Sequence, residues 1–233
     1  MRHMRVAAIL LLGAAVMMAR PVPAEGRDPV APRDLALEAK RLMDGGDLPA
    51  SLSAFRAARE ALESFAPPDA ELADFVGLQL FNLGVRFNNA GDAQRAMTCF
   101  IEVLRVERMV RGRLRDRAFR ASLREATLKV AGFLVASGKP DPALEANQLL
   151  AEGSAGDVEG WVGLGASQLA RGDHAAALVA YERAATIQPD SPEVAAGRGH
   201  TALMMARRAE QGEVLALIEK AAAWLRRASD LEP

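Results

Sequence analysis

Residues 158–191 read VEGWVGLGASQLARGDHAAALVAYERAATIQPDS, two apolar-periodic segments on either side of an Arg171-Gly172-Asp173 turn, with Pro189 closing the unit. Small and apolar residues recur there every three or four positions, the period of an amphipathic helix. Gly172 offers a residue able to take positive φ where the first helix ends, and Asp173 a carboxylate able to cap the second. A lone pair of such helices cannot bury all its apolar surface. The stretch therefore requires neighbours built in the same way.

The neighbours are visible in the same chain. Gly46-Asp47 and Gly91-Asp92 repeat the turn, and Gly138 with Asp141-Pro142 reads as its equivalent, with proline suited to a first helical position. Ala96, Ala143 and Ala177 lie five residues beyond Gly91, Gly138 and Gly172, while Phe55, Phe100 and Tyr181 lie nine beyond Gly46, Gly91 and Gly172. Small residues let two helices approach and the aromatic fills the space beside them. No run of strict alternation suggests a strand.

Trp161, Leu164-Gly165, Ala177, Tyr181, Ala184 and Pro189 together resemble a tetratricopeptide repeat (TPR), a 34-residue helix–turn–helix unit. The resemblance implies an all-α fold, a right-handed α-solenoid of about five helical hairpins. The phasing it suggests is 32–65, 77–110, 124–157, 158–191 and 192–233. The match loosens away from the fourth unit: Arg108 replaces the closing proline, Ala131 the tight-packing glycine, Asn147 the aromatic and Ser51 the small alanine. The inserts at 66–76 and 111–123 read as helix extensions, and the fifth unit carries about ten extra residues between its halves.

Ahead of this domain, residues 1–5 are basic, 6–18 form an uncharged apolar run, and Val22-Pro23-Ala24 supplies small residues before a cut. That layout predicts a signal peptide over 1–24 and an exported protein, periplasmic or secreted. An uncleaved inner-membrane anchor is the alternative. Residues 25–33, with Pro29 and Pro32, are expected as a flexible tether before a domain at 34–233. Cleavage would remove three of the 29 basic residues and none of the 30 acidic ones, leaving a formal charge of −4 and no global drive toward nucleic acid. The one cysteine, Cys99, sits in an apolar helix and reads as a buried, inert thiol.

Enzymatic motifs are absent. His3, His174 and His200 have no partners at metal-ligand spacing, and no nucleophile motif or phosphate loop occurs, so no cofactor and no metal are expected. The resemblance implies instead that the first helix of each hairpin lines a concave groove for a peptide or partner helix. That assigns partner contacts to Phe81, Asn82, Val85, Asn88 and Asn89, to Leu128, Lys129 and Val135, and to Val162, Ala166 and Leu169. The set is largely apolar with a few amides, suited to an amphipathic helix or extended segment. A carboxylate clamp at Asn82 lacks support, since Ala36 and Lys40 stand where its partners would be.

Two further surfaces follow. Arg111, Arg113, Arg115, Arg117 and Arg120 belong to a run over 105–124 in which eight arginines meet only Glu107 and Asp116, an expected anionic-surface site or else a solvated junction helix. In the last helix Val214, Leu217 or Ile218, Ala221, Leu225 and Ala228 should pack inward. Leu215, Ala222 and Trp224 stay outside that stripe, where a second copy end to end, the partner, or the chain's own curl would cover them. The function predicted is a non-catalytic adaptor of the cell envelope. The alternatives are a membrane-anchored structural scaffold, or an enzyme or ligand-binding protein without a recognisable motif.

Overall fold

A computed structural model describes residues 31–232 except Ala66, Gly112, Arg113 and Ala155. The signal peptide expected over 1–24 lies outside the described residues, as does most of the tether. Helix begins inside the stretch assigned to the tether, because Pro32 sits in the first turn of α1 (Pro32–Asp44), where a missing N–H costs nothing.

Nine more helices follow: α2 (Leu48–Glu63), α3 (Ala70–Asn89), α4 (Ala93–Met109), α5 (Arg117–Ala136), α6 (Pro140–Gly153), α7 (Val158–Arg171), α8 (His174–Ile187), α9 (Pro192–Ala206) and α10 (Gln211–Leu231). They pair as five successive antiparallel hairpins, and each hairpin stacks on the next, so the described residues form an all-α, TPR-like solenoid without a strand. The first four hairpin turns place Gly46, Gly91, Gly138 and Gly172 at φ between 72° and 87°, a conformation costly for residues with a Cβ. Asp47, Asp92 and Asp173 then cap the second helices, accepting from the amides of Ala50, Arg95 and Ala176 at 3.1, 3.0 and 3.1 Å. The third turn differs from the sequence expectation. Its helix starts earlier, at Pro140 behind an uncapped Lys139, and Asp141 pairs with Arg171 of α7 at 2.9 Å.

Within the hairpins, the recurrent aromatic fills the gap left by a facing glycine. A Cβ on Gly84 would stand 2.6 Å from the Phe100 ring, and one on Gly165 would stand 2.8 Å from Tyr181. Asn147, at the aromatic's place in α6, faces the next hairpin instead: it abuts Gly163 of α7, is 1% exposed, and donates from Nδ2 to Ser167 Oγ of α7 at 3.1 Å. Ser51, in place of the small alanine, is fully buried and donates to the Ala39 carbonyl at 2.8 Å.

The two inserts meet each other. Each contributes extra turns to a first helix, since α3 begins at Ala70 and α5 at Arg117. The α4–α5 connection also folds back over α3: Leu114 is fully buried against Gly77, and the Arg115 amide donates to Asp74 Oδ1 at 2.8 Å. Behind α3, a charged cluster ties the second helices of the first three hairpins. Glu102 of α4, 1% exposed, accepts from Arg59 of α2 at 2.5 Å and Arg105 at 2.8 Å, and Arg105 reaches Glu145 of α6 at 2.5 Å. Arg59 also pairs with Glu63 at 2.7 Å. A charge buried this deeply needs such partners.

The last hairpin departs most from its expected form. Only Arg207 to Glu210 separate its helices, so the extra length lies within α10, which runs for 21 residues. Of the inward stripe, Ala221 and Ala228 are buried and Val214 and Leu217 half-buried, so Leu217 rather than Ile218 turns inward; Ile218 is 44% and Leu225 38% exposed. Gly199 of α9 receives this stripe: a Cβ there would stand 2.7 Å from Leu225 Cγ and 3.3 Å from the Ala221 carbonyl oxygen, so α10 packs on α9 through Ala221 and Leu225 while Ile218 turns to the flank.

Candidate partner-binding groove

The first helices α3, α5 and α7 stand side by side, and the gap between α3 and α5 opens into a pocket of about 260 Å³. Its lining is Val85 and Asn88 from α3, Phe100 from α4 at the floor, and Ser122, Glu125, Ala126, Lys129 and Val130 from α5. The floor and one wall are hydrocarbon; Asn88, Ser122, Glu125 and Lys129 ring the mouth. Lys129 donates to Glu125 at 2.7 Å, one helical turn apart, and that bond holds the Glu125 carboxyl below its usual range. Such a cavity admits one aliphatic or small aromatic side chain while its rim can hydrogen-bond a peptide backbone.

Three of the residues assigned from sequence, Val85, Asn88 and Lys129, line this pocket. Asn82 and Asn89 are exposed on the same helix, α3. Phe81 is placed differently: it is half-buried, with its ring 5.8 Å from Phe100 and 5.3 Å edge-on from Phe119, so it joins α3 to α4 and α5. Leu128 and Val135 are likewise half-buried against the core. Val162, Ala166 and Leu169 are half-buried along α7, and none lines the pocket between α3 and α5.

Ser122, Glu125, Ala126 and Val130 were missed by sequence reasoning. Starting the third repeat at residue 124 left Ser122 in an insert, whereas α5 already runs from Arg117. Reading one face of the whole helix at 3.6-residue spacing, from exposed Ser122 and Glu125 through half-buried Ala126 to buried Val130, would have found them.

The arginine run divides. Arg105 is engaged by Glu102 and Glu145, Arg108 by Glu152 at 3.3 Å, and Arg124 by the buried Asp157 at 2.7 Å and by Glu159. Asp157 thus fastens α5 while capping α7 through the Gly160 amide at 2.8 Å. Glu107 feels Arg120, although burial raises its pKa overall. Arg111, Arg115 and Arg117 are exposed, with Arg115 stacked 5.6 Å from the Phe119 ring, and Arg113 lies outside the described residues. Burial pushes the Cys99 thiol pKa strongly upward, so Cys99 is unreactive. Among the described residues, no cluster of His, Cys, Asp or Glu could hold a metal ion, and no helix is long and apolar enough to cross a membrane.

No protein-family model matches the sequence, and no curated protein matches it either. Similar solved structures include the crystal structure of MamA, 16% identical, covering 83% of this chain and 94% of that one at a TM-score of 0.46. Another is YrrB, described as a TPR protein with an unusual peptide-binding site, at 19% identity, 88% and 87% coverage and a TM-score of 0.44. The TPR2AB domain of yeast Sti1 in complex with an HSP90 peptide is 12% identical, covers 86% of each chain and scores 0.34. At these values the helices and glycine–aromatic contacts of the chain itself, rather than the likeness, carry the fold.

Proposed function

We propose that this protein is a non-catalytic adaptor, exported to the cell envelope, that holds a segment of a partner protein across α3 and α5. The observation that carries this reading is the half-apolar pocket between those helices, with the Asn88 amide, the Ser122 hydroxyl and the Glu125–Lys129 pair at its mouth. An aliphatic side chain of the partner fills the space above Phe100, and Asn88 and Ser122 meet the backbone on either side of it. Exposed Arg111, Arg115 and Arg117 add an anionic-surface contact at the start of the same helix.

The test uses the whole chain with a photo-crosslinking side chain at Asn89, expressed in the source cell. One crosslinked partner band is expected, lost when Ala126→Trp fills the pocket, fading with rising salt in the wild type, and weakened when Arg115 and Arg117 are reversed to Glu. A band indifferent to Ala126→Trp would move the binding surface elsewhere. Intact mass of the same material reads the N-terminus: loss of residues 1–24 supports export with cleavage, and retention in a membrane fraction supports the anchored scaffold.

A further inference from the structure

The outer flank of α10 carries a pattern that its own hairpin uses only at Leu225, which also packs against Gly199 of α9. Leu215, Ile218, Ala222 and Leu225 follow one another at intervals of three, four and three, the a/d spacing of a coiled-coil seam. Leu215 is 67%, Ile218 44% and Leu225 38% exposed, and Ala222 is exposed between them. With Leu215 and Ala222 as a positions, Ala221 and Ala228 fall at g, and both are buried in the hairpin. The e positions are Glu219 and Arg226, exposed on the opposite edge and without an ion pair among the described residues.

Charge complementarity then selects the occupant. In an antiparallel pair of helices e faces e, so a second copy would bring its Arg226 to Glu219 and its Glu219 to Arg226. Two salt bridges would form about a two-fold axis beside the small Ala222. A parallel pair would set e against g, where only the apolar Val214, Ala221 and Ala228 stand. We infer that the α10 flank is a self-association surface on which two copies of this chain pack their last helices antiparallel, with Glu219 of each copy bonded to Arg226 of the other. Trp224 is no anchor for it, because the Arg198 guanidinium covers its ring at 4.2 Å. The helix is already folded within its hairpin, so association orders little new backbone. The dimer would leave both α3–α5 grooves open and present two partner segments with shared avidity.

Sedimentation equilibrium on the full chain tests this. The wild type should show a monomer–dimer equilibrium, and Leu215→Glu with Ile218→Glu should be monomeric with unchanged helical circular dichroism. Glu219→Arg, which sets arginine against arginine, should weaken the dimer by about tenfold or more, and Glu219→Arg with Arg226→Glu should restore it to within about threefold. A wild-type chain that stays monomeric at ~100 μM would overturn the inference, whether its flank is bare or covered by another segment. So would association that survives the Leu215/Ile218 double variant, or that weakens with Glu219→Arg and is not rescued by the swap.

Discussion

The N-terminal three hairpins and the C-terminal two are built from the same unit but filled differently. The largest fully buried side chains, from Phe55 through Leu83, Met97 and Phe100 to Leu134, all belong to α2–α5 and the connection between α4 and α5. Beyond Asp157, the buried apolar residues other than Leu164, Tyr181 and Val194 are alanines. Apolar burial contributes about 25 cal/mol per Å², so an alanine core contributes far less per helix than one of Phe, Leu and Met. Yet the fourth hairpin carries the clearest repeat pattern in the sequence. The pattern marks where helices approach closely, which is a matter of small residues and glycine, and says little about how much surface they bury. Charged ties follow the same division: the Arg59–Glu102–Arg105–Glu145 cluster crosses α2, α4 and α6, whereas the C-terminal half has single exposed pairs such as Arg227–Asp190 at 2.7 Å.

The largest effect should come from the core itself. Phe100→Ala removes a ring that meets Gly84 and Phe81 and floors the groove, and should cost about 3–5 kcal/mol in denaturant unfolding. Tyr181→Ala opens the equivalent space between Gly165 and Gly197, at roughly 3 kcal/mol. Its phenol is also buried, with burial raising its pKa to about 12. The comparison predicts that the first loss spreads over the whole transition, while the second melts α7–α10 ahead of the rest. Two superimposable, single-step melts would break it.

Most of the architecture was legible because the signals were local. Turn glycines, capping aspartates and the alanine–aromatic spacing each act within one hairpin, so residues read in order sufficed for Phe55, Phe100, Tyr181 and the five-hairpin count. What failed was long-range. Nothing in the neighbourhood of Leu114 marks it as the plug over Gly77, and Glu102 reads as a surface carboxylate until Arg59, 43 positions away, is brought beside it. The groove was half legible for the same reason: the face of α3 followed from the repeat, but its partner wall on α5 depended on where the insert became helix.

A middle-sized effect should separate the charged tie from ordinary surface pairs. Glu102→Gln leaves Arg59 with Glu60 and Glu63 only, and should lower stability by roughly 2–3 kcal/mol, read from the midpoint at constant slope. Arg227→Gln removes an exposed pair and should change it by less than about 1 kcal/mol. Equal losses would mean that the buried cluster contributes no more than the periphery.

The smallest effect discriminates most finely, because it can be placed identically in both halves. Asp92 and Asp173 cap α4 and α8 with the same bond, 3.0 and 3.1 Å to the third amide along, so Asp92→Ala and Asp173→Ala should each cost about 1 kcal/mol. Where that loss shows depends on which units open together. If α7–α10 open on their own, their amides exchange through that partial opening, and Asp173→Ala, whose cap is lost in the partial and the global opening alike, speeds all ten helices about fivefold. The amides of α1–α6 exchange only when everything unfolds, so Asp92→Ala should speed those by a similar factor and leave α7–α10 unchanged. Native-state hydrogen exchange on the two variants reads both arms at once. A shift of equal size across all ten helices in Asp92→Ala would show a single cooperative unit, and the difference in filling would then have no consequence for how the solenoid opens.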